Sequence, residues 1–218
     1  LFERPTIRTL AEAIASYQSD QSEPCLQDAM PVVPRKEPLA LSYSQRRMWF
    51  MYCLAPEGTA YNMPVAVRIT GRLNRPALKQ AAYELIRRHE AFRTSFSLGA
   101  EGPVQVVHDT AQLPWHDVDL RLLPRDRRES EAKRILAEDA ARPFDLSDPP
   151  AIRVLLVQLD DDDHVLLLNM HHIIGDQWSF GIIGREFGTL YSAATQGIGG
   201  VAADGQEMVV LRRSAAPQ

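Results

Sequence analysis

An α/β fold, built as one open mixed sheet with helices packed on a face, follows from three observations. Apolar residues recur at helical spacing in segments that begin near Ser42, Asn74, Arg125 and Ser179. Between these lie short stretches that alternate in polarity or run continuously apolar, which is how half-buried and fully buried strands read. Helical and strand segments interleave along the chain, so they belong to one sheet-and-helix domain.

Residues 5–17 carry Ile7, Leu10, Ala11, Ile14 and Ala15 at helical spacing, with Pro5 suited to the first turn. In residues 19–38 the periodicity vanishes and Pro24, Pro31, Pro34 and Pro38 appear among Ser, Gln and Asp, the composition of a semi-extended linker. Ser42 then caps a helix that carries Met48, Trp49, Met51 and Tyr52. Residues 62–70 alternate Met63, Val65, Val67 and Ile69 with smaller or polar residues, as a strand does. Asn74 caps the next helix, with Pro76 in its first turn and Leu78, Ala81, Ala82, Leu85 and Ile86 on one face. Residues 93–98 and 104–108 read as strands around a Gly/Pro turn, and 115–120 as a further short one.

Residues 125–142 form a charged amphipathic helix whose weak apolar stripe is Ile135, Leu136 and Ala140, its runs of Arg and Glu reading as a solvated face laced with i,i+4 pairs. Two apolar strands, 152–159 and 164–170, flank Asp160, Asp161, Asp162 and Asp163. That acidic run lacks the alternating spacing and closing Glu of a calcium loop, so it reads as a solvated hairpin tip. A last helix runs from about Ser179 to Ala194. Beyond Gly197 the chain is rich in Gly and Ala, and two readings stay open for 197–218: disorder, or sequence unrelated to the domain before it.

Composition narrows the function. With 45% hydrophobic and 24% charged residues over 218 positions the chain is ordinary globular material. A net charge of −4 gives no electrostatic reason to expect nucleic acid or an anionic membrane surface as a partner. Cys25 and Cys53 have neither Cys-x-x-Cys spacing nor a third partner, so they read as two free cytosolic thiols. The start, Leu1-Phe2-Glu3-Arg4-Pro5, has no secretory leader and looks like an excerpt from something longer.

The chemistry concentrates in Met170-His171-His172-Ile173-Ile174-Gly175-Asp176-Gln177-Trp178-Ser179, at a strand-to-helix junction. Histidine exchanges a proton near neutral pH, and a junction lets a side chain face a cleft between rigid elements. If the strand continues through the pair, the two rings face opposite sides, which disfavours one metal ion bound by both. Asp176 has two readings: a cap for the following helix, or the partner of a buried Arg. The bland alternative is that both histidines are satisfied in the core.

Three motifs in order raise the functional reading. Ser42-Tyr43-Ser44-Gln45-Arg46-Arg47-Met48-Trp49-Phe50, Arg88-His89-Glu90-Ala91-Phe92-Arg93-Thr94-Ser95-Phe96 and Met170 to Ser179 resemble the first three core motifs of condensation domains of nonribosomal peptide synthetases. The last corresponds to their HHxxxDG signature. Ala60-Tyr61-Asn62-Met63-Pro64 and Pro143-Phe144-Asp145-Leu146 also match the family's usual wording. The resemblance covers residues 39–196. Residues 1–18 resemble the last helix of a peptidyl carrier domain, without the serine that bears phosphopantetheine.

The resemblance implies a chloramphenicol-acetyltransferase-like lobe, one of two, with the active site in the tunnel between them. It implies transfer of an acyl chain from a donor carrier thioester to the amine of an acceptor thioester. The partners are then donor and acceptor carrier domains and a missing C-terminal lobe; phosphopantetheine arrives on the carriers and no metal is used. Among the matching positions, the resemblance makes His172 the expected catalytic residue. His171 and Asp176 are structural, with Arg88, then Arg93, as salt-bridge partner to Asp176. Gly175, Gln177, Trp178 and Ser179 are candidates to line the tunnel. The first and third motifs are worded most like the subclass that takes L-configured donors.

One departure matters: Gln177 stands where the family has Gly. A left-handed backbone there would cost about 1 kcal/mol with Gln, so either the backbone is ordinary or the site is reshaped. A lobe alone is expected to be inactive. Two other readings remain, a CoA-dependent acyltransferase of the HxxxD superfamily and a non-catalytic carrier-binding remnant.

Overall fold

A computed structural model describes residues 37–196 and the strand 208–211, with isolated positions 6, 8, 9, 11, 12, 15 and 34 nearer the start. The chain divides into two units, Leu1–Pro34 and Arg35–Gln218. In the first, Arg8, Thr9, Ala11, Glu12 and Ala15 are helical, and the Thr6 hydroxyl accepts from the Thr9 amide at 3.3 Å. The rest of that segment, most of the expected linker and all of the tail except 208–211 lie outside the described residues, as does Cys25.

Besides a 3₁₀ turn at Glu90–Arg93, the second unit carries eight strands and four α-helices among its described residues. They are β1 (Leu39–Ala40), α1 (Tyr43–Leu54), β2 (Asn62–Thr70), α2 (Arg75–Arg88), β3 (Thr94–Gly99), β4 (Gly102–Val107), β5 (Trp115–Asp119), α3 (Arg125–Ala140), β6 (Ile152–Asp160), β7 (Asp163–His171), α4 (Gln177–Thr195) and β8 (Met208–Leu211). Helix starts are built as the sequence dictates. The Ser42 side chain accepts from the Gln45 amide and Gln45 reaches back to the Ser42 amide, a reciprocal capping box. Asn74 accepts from Ala77 N–H, with Pro76 at the start of α2.

The main sheet has five strands in the order β5-β6-β7-β2-β8, with β5 parallel to β6 and the other pairs antiparallel. It is therefore mixed, as expected. The hairpin β3–β4 does not join it but forms a second sheet with β1, in the order β1-β4-β3. Alternation reports which residues are inward, not which sheet a strand enters; the hairpin is attached instead through Phe96, fully buried and donating its amide to Leu146 O.

Strands β6 and β7 are buried on both faces, which explains their continuous apolar runs. Leu156, Leu166 and Met170 face one layer with Leu85, Ile86 and Ile183 of α2 and α4. Leu155, Val157, Val165 and Leu167 face the other, where α3 lays down Ala132, Ile135 and Leu136. The helix read as a solvated, charged face thus covers the second side of the sheet. Its exposed side does carry the expected i,i+4 pairs, Lys133–Glu129 and Arg134–Glu138.

The C-terminus of α3 is held by donors from three strands. Arg153 of β6 donates through Nε to Asp139 Oδ2 at 3.0 Å, and through a terminal nitrogen to Asp139 O and Arg142 O. Asn169 of β7 donates to Asp139 O, and Asn62 of β2 to Ala140 O and Arg142 O. The guanidinium also lies 4.1 Å from the Phe144 ring centroid. A cation at a helix C-terminus opposes the negative end of its dipole. Both charges are nearly inaccessible, with side-chain exposures of 5% and 8%, so breaking the pair strands the survivor.

Asp139→Ala is therefore expected to lower unfolding free energy by about 3 kcal/mol, the lower part of the range for a broken buried pair because the carbonyl partners remain. Asp139→Asn, which keeps an acceptor, should cost less. Urea unfolding of the two variants checks the order.

Candidate active site

The main sheet delivers its chemistry at the end of β7. His171, the last strand residue, pairs with Asn62 and donates its amide to Ala151 O. Alternation along β7 puts its side chain on the α3 face, in the row of Asn169. There the ring is buried, edge-on to Phe144 and 5.9 Å from the Tyr61 ring centroid. Its Nδ1 accepts from Ile173 N–H at 3.1 Å, so a neutral ring carries its proton on Nε2. Burial, aided by the charge of His172, pushes the His171 pKa down to about 4.

His172 steps off the strand and donates its amide to Tyr61 O at 2.9 Å. Its ring is half-buried, with Nδ1 2.8 Å from Gly175 O. A carbonyl only accepts, so Nδ1 carries the hydrogen and the neutral ring presents Nε2 as a lone pair. This tautomer can take a proton from, or a hydrogen bond with, an incoming N–H.

The loop closes on Gly175 and Asp176. A Cβ on Gly175 would meet Met170 Cε at 3.0 Å and the Ser179 side chain at 3.2 Å, so the turn packs closely there and a larger residue would require those side chains to give by a few tenths of an ångström. Asp176 is the N-cap of α4: it accepts from Ser179 N–H and Oγ–H, and Ser179 Oγ accepts from the Asp176 amide. Those donors, the Ser179 amide foremost, hold its carboxyl below the usual range.

Alongside lies an apolar cavity of about 750 Å³ between α2, α4 and the sheet. Val65, Leu168, Phe180 and Gly184 are in its wall, and so is Gln177; His172 is not. Among the described residues no group of three His, Cys, Asp or Glu side chains is placed to hold a metal ion.

The family model described as the condensation domain matches residues 36–200. The chain belongs to the condensation-domain family. A linear gramicidin synthase of Brevibacillus parabrevis is 40% identical over 198 residues, 90% of this chain and 2% of that protein. The dimodular nonribosomal peptide synthase of Bacillus subtilis (strain 168) is 39% identical over 199 residues, 90% of this chain and 8% of that protein. The chain thus spans a small part of the peptide synthetases it matches. In fold it is similar to the starter condensation domain of rhizomide synthetase RzmA, with a TM-score of 0.70, 21% identity, and coverage of 77% of this chain and 40% of that one. The first condensation domain of the calcium-dependent antibiotic synthetase, solved with substrate analogue 2a, gives 0.69 at 24% identity, over 77% of this chain and 40% of that one.

Among the residues that the condensation-domain resemblance singled out, one expectation is corrected. Neither Arg88 nor Arg93 pairs with Asp176. Arg88 binds Glu84 at 2.8 Å, one turn back on α2, and Arg93 donates to His108 O and Asp109 O. An exposed carboxylate at a helix N-terminus is satisfied by the amide and hydroxyl of its own first turn and needs no cation. Gln177 is the first residue of α4, and positive φ among the described residues is confined to Gly71 and Gly102, so its backbone is ordinary. Trp178 is 80% exposed, and Ser179 serves the cap.

Sequence reasoning missed the supports: Tyr61 O and Ala151 O beneath the histidines, and His89 Nε2 at 2.8 Å from Glu186 between α2 and α4. Tyr61 and His89 sit in stretches that match the family, but nothing local says what they touch.

Two consequences can be measured. The unfolded chain protonates His171 near pH 6.5, whereas the folded ring resists until about pH 4. Its contribution is complete above pH 6.5 and is lost as pH falls through that window, by up to about 3 kcal/mol. Burial lowers the His164 pKa as well, adding loss in the same direction. His171→Asn, whose amide oxygen keeps the acceptor for Ile173, should flatten the fall in urea midpoint between pH 6.5 and 4. Asp176→Ala should destabilise the fold far less than Asp139→Ala, and Asp176→Ser should restore most of the loss; thermal melts of the three compare directly.

Proposed function

We propose that this chain is the donor-side, N-terminal lobe of a condensation domain and that His172 is its catalytic residue. The observation that carries the proposal is the fixed tautomer: the His172 Nδ1–H is committed to Gly175 O, leaving Nε2 free to receive a proton. In the reaction, the amine nitrogen of an acceptor aminoacyl thioester attacks the carbonyl carbon of a donor thioester. The C–N bond forms as the tetrahedral intermediate appears, and the C–S bond breaks as it collapses. The proton leaves the amine and ends on the departing phosphopantetheine thiol. His172 either relays that proton or orients the amine and steadies the developing charge.

Coverage of 40% of the solved condensation domains supports a single lobe, with the rest supplied by a C-terminal lobe. Donor and acceptor carrier domains would bring the thioesters, and residues 1–18 would end a preceding carrier. The ordinary backbone at Gln177 removes one reason to think the site impaired. The apolar cavity beside α4 would take the apolar part of the donor group, with Gln177 in its wall. The CoA-dependent reading is not favoured by relatives that are peptide synthetases.

The test is amide formation from loaded donor and acceptor carriers, with and without a separately supplied C-terminal lobe. Product is expected only with the lobe, and His172→Ala should cut the rate by about 10²-fold or more. No product in any combination would favour a non-catalytic, carrier-binding lobe.

A further inference from the structure

The first turn of α1 and the His172 loop are far apart in sequence but joined through one side chain. Gln45 Oε1 accepts the Ser42 amide at 2.9 Å, completing the capping box of α1. A primary amide has one accepting end and one donating end, so the cap fixes which way Gln45 points. Its Nε2 then faces two acceptors, Ile173 O and Gln105 Oε1, each at 3.4 Å. Gln105 is fixed in turn, because its own Nε2 donates to Ala40 O at 3.0 Å. The polarity is consistent along the whole line from β1, through β4 and α1, to the loop.

Ile173 directly follows His172. Its amide is held by His171 Nδ1 and its carbonyl by Gln45. On the other side of His172, the amide is held by Tyr61 O. The turn 173–175 carries the Gly175 carbonyl that fixes the His172 tautomer. Gln45, Gln105 and Ile173 line a small open pocket of about 230 Å³, while the Ile173 and Ile174 side chains are themselves buried in the core.

The geometry points to Gln45 as a positioning residue that holds the His172 loop, and through it the Nδ1–H tautomer, in register. Its effect on turnover rests on the reading of His172 as catalytic; its effect on the loop does not. The hydrogen bonds of Gln45 go to Ser42, Gln105 and Ile173 and not to the His172 ring.

Two variants separate its roles. Gln45→Glu keeps the acceptor for Ser42 and suits a helix first turn, but sets a carboxylate against Ile173 O and Gln105 Oε1. Ser42→Ala breaks the cap and leaves the donor end of Gln45 in place. In the full chain, Gln45→Glu is expected to lower the melting temperature by about 2–4 °C, no more than Ser42→Ala does. It should speed hydrogen exchange at the Ile173 and Ile174 amides by about five- to tenfold, the worth of roughly one hydrogen bond. It should also shift the His172 ring ¹⁵N signals away from the single Nδ1–H form. Ser42→Ala should lower the melting temperature without either change.

With carriers and the C-terminal lobe supplied, Gln45→Glu should lower kcat by a similar factor with KM unchanged. Parent-like exchange and ring signals in both Gln45→Glu and Gln45→Met would overturn the proposal. If the parent makes no amide, the reading of His172 fails, and the exchange and ring signals still decide Gln45.

Discussion

The buried guanidinium of Arg153 fixes the arrangement of this domain. It is the point where β6 meets the end of α3, and its donors are shared between the Asp139 carboxylate and the carbonyls that a helix C-terminus leaves unsatisfied. Asn169 and Asn62 supply the same service from β7 and β2. Arg153, Asp139 and Asn169 are buried and hydrogen-bonded to one another, so the end of α3 is fixed to one place on the sheet.

That fixation passes to the site through Phe144. After α3 the chain places the Phe144 ring against the guanidinium and edge-on to His171. His171 is thereby buried and kept neutral, and its Nδ1 becomes an internal acceptor that shapes the loop. His172, one residue on, escapes the strand and keeps an open nitrogen. Two adjacent, chemically identical side chains acquire different surroundings because a strand turns successive residues to opposite faces and then ends between them.

The helix after the loop starts where the chain itself prescribes. Asp176 and Ser179 cap each other, which leaves Gln177 an ordinary helical residue at the edge of the apolar cavity. The carboxylate is therefore committed to the local turn rather than to a distant arginine. In the motif pattern the two options look alike, since an Asp before a helix satisfies both; exposure decides between them.

Features made by neighbours along the chain were legible from the amino acids alone. Ser42 and Asn74 announce their caps, β6 and β7 announce their burial, and the ordered motifs around Gln45, His89 and His172 point to the family. Which partners meet across the sheet emerged only from the folded arrangement. Asp139 sits in a run of charges that reads as solvated, Leu39–Ala40 is too short to signal a strand, and the hairpin β3–β4 carries no mark of the sheet it joins. Propensity, capping and periodicity depend on residues within a turn or two. Strand register and the layering of helices, by contrast, set which carbonyl a guanidinium or an amide will find.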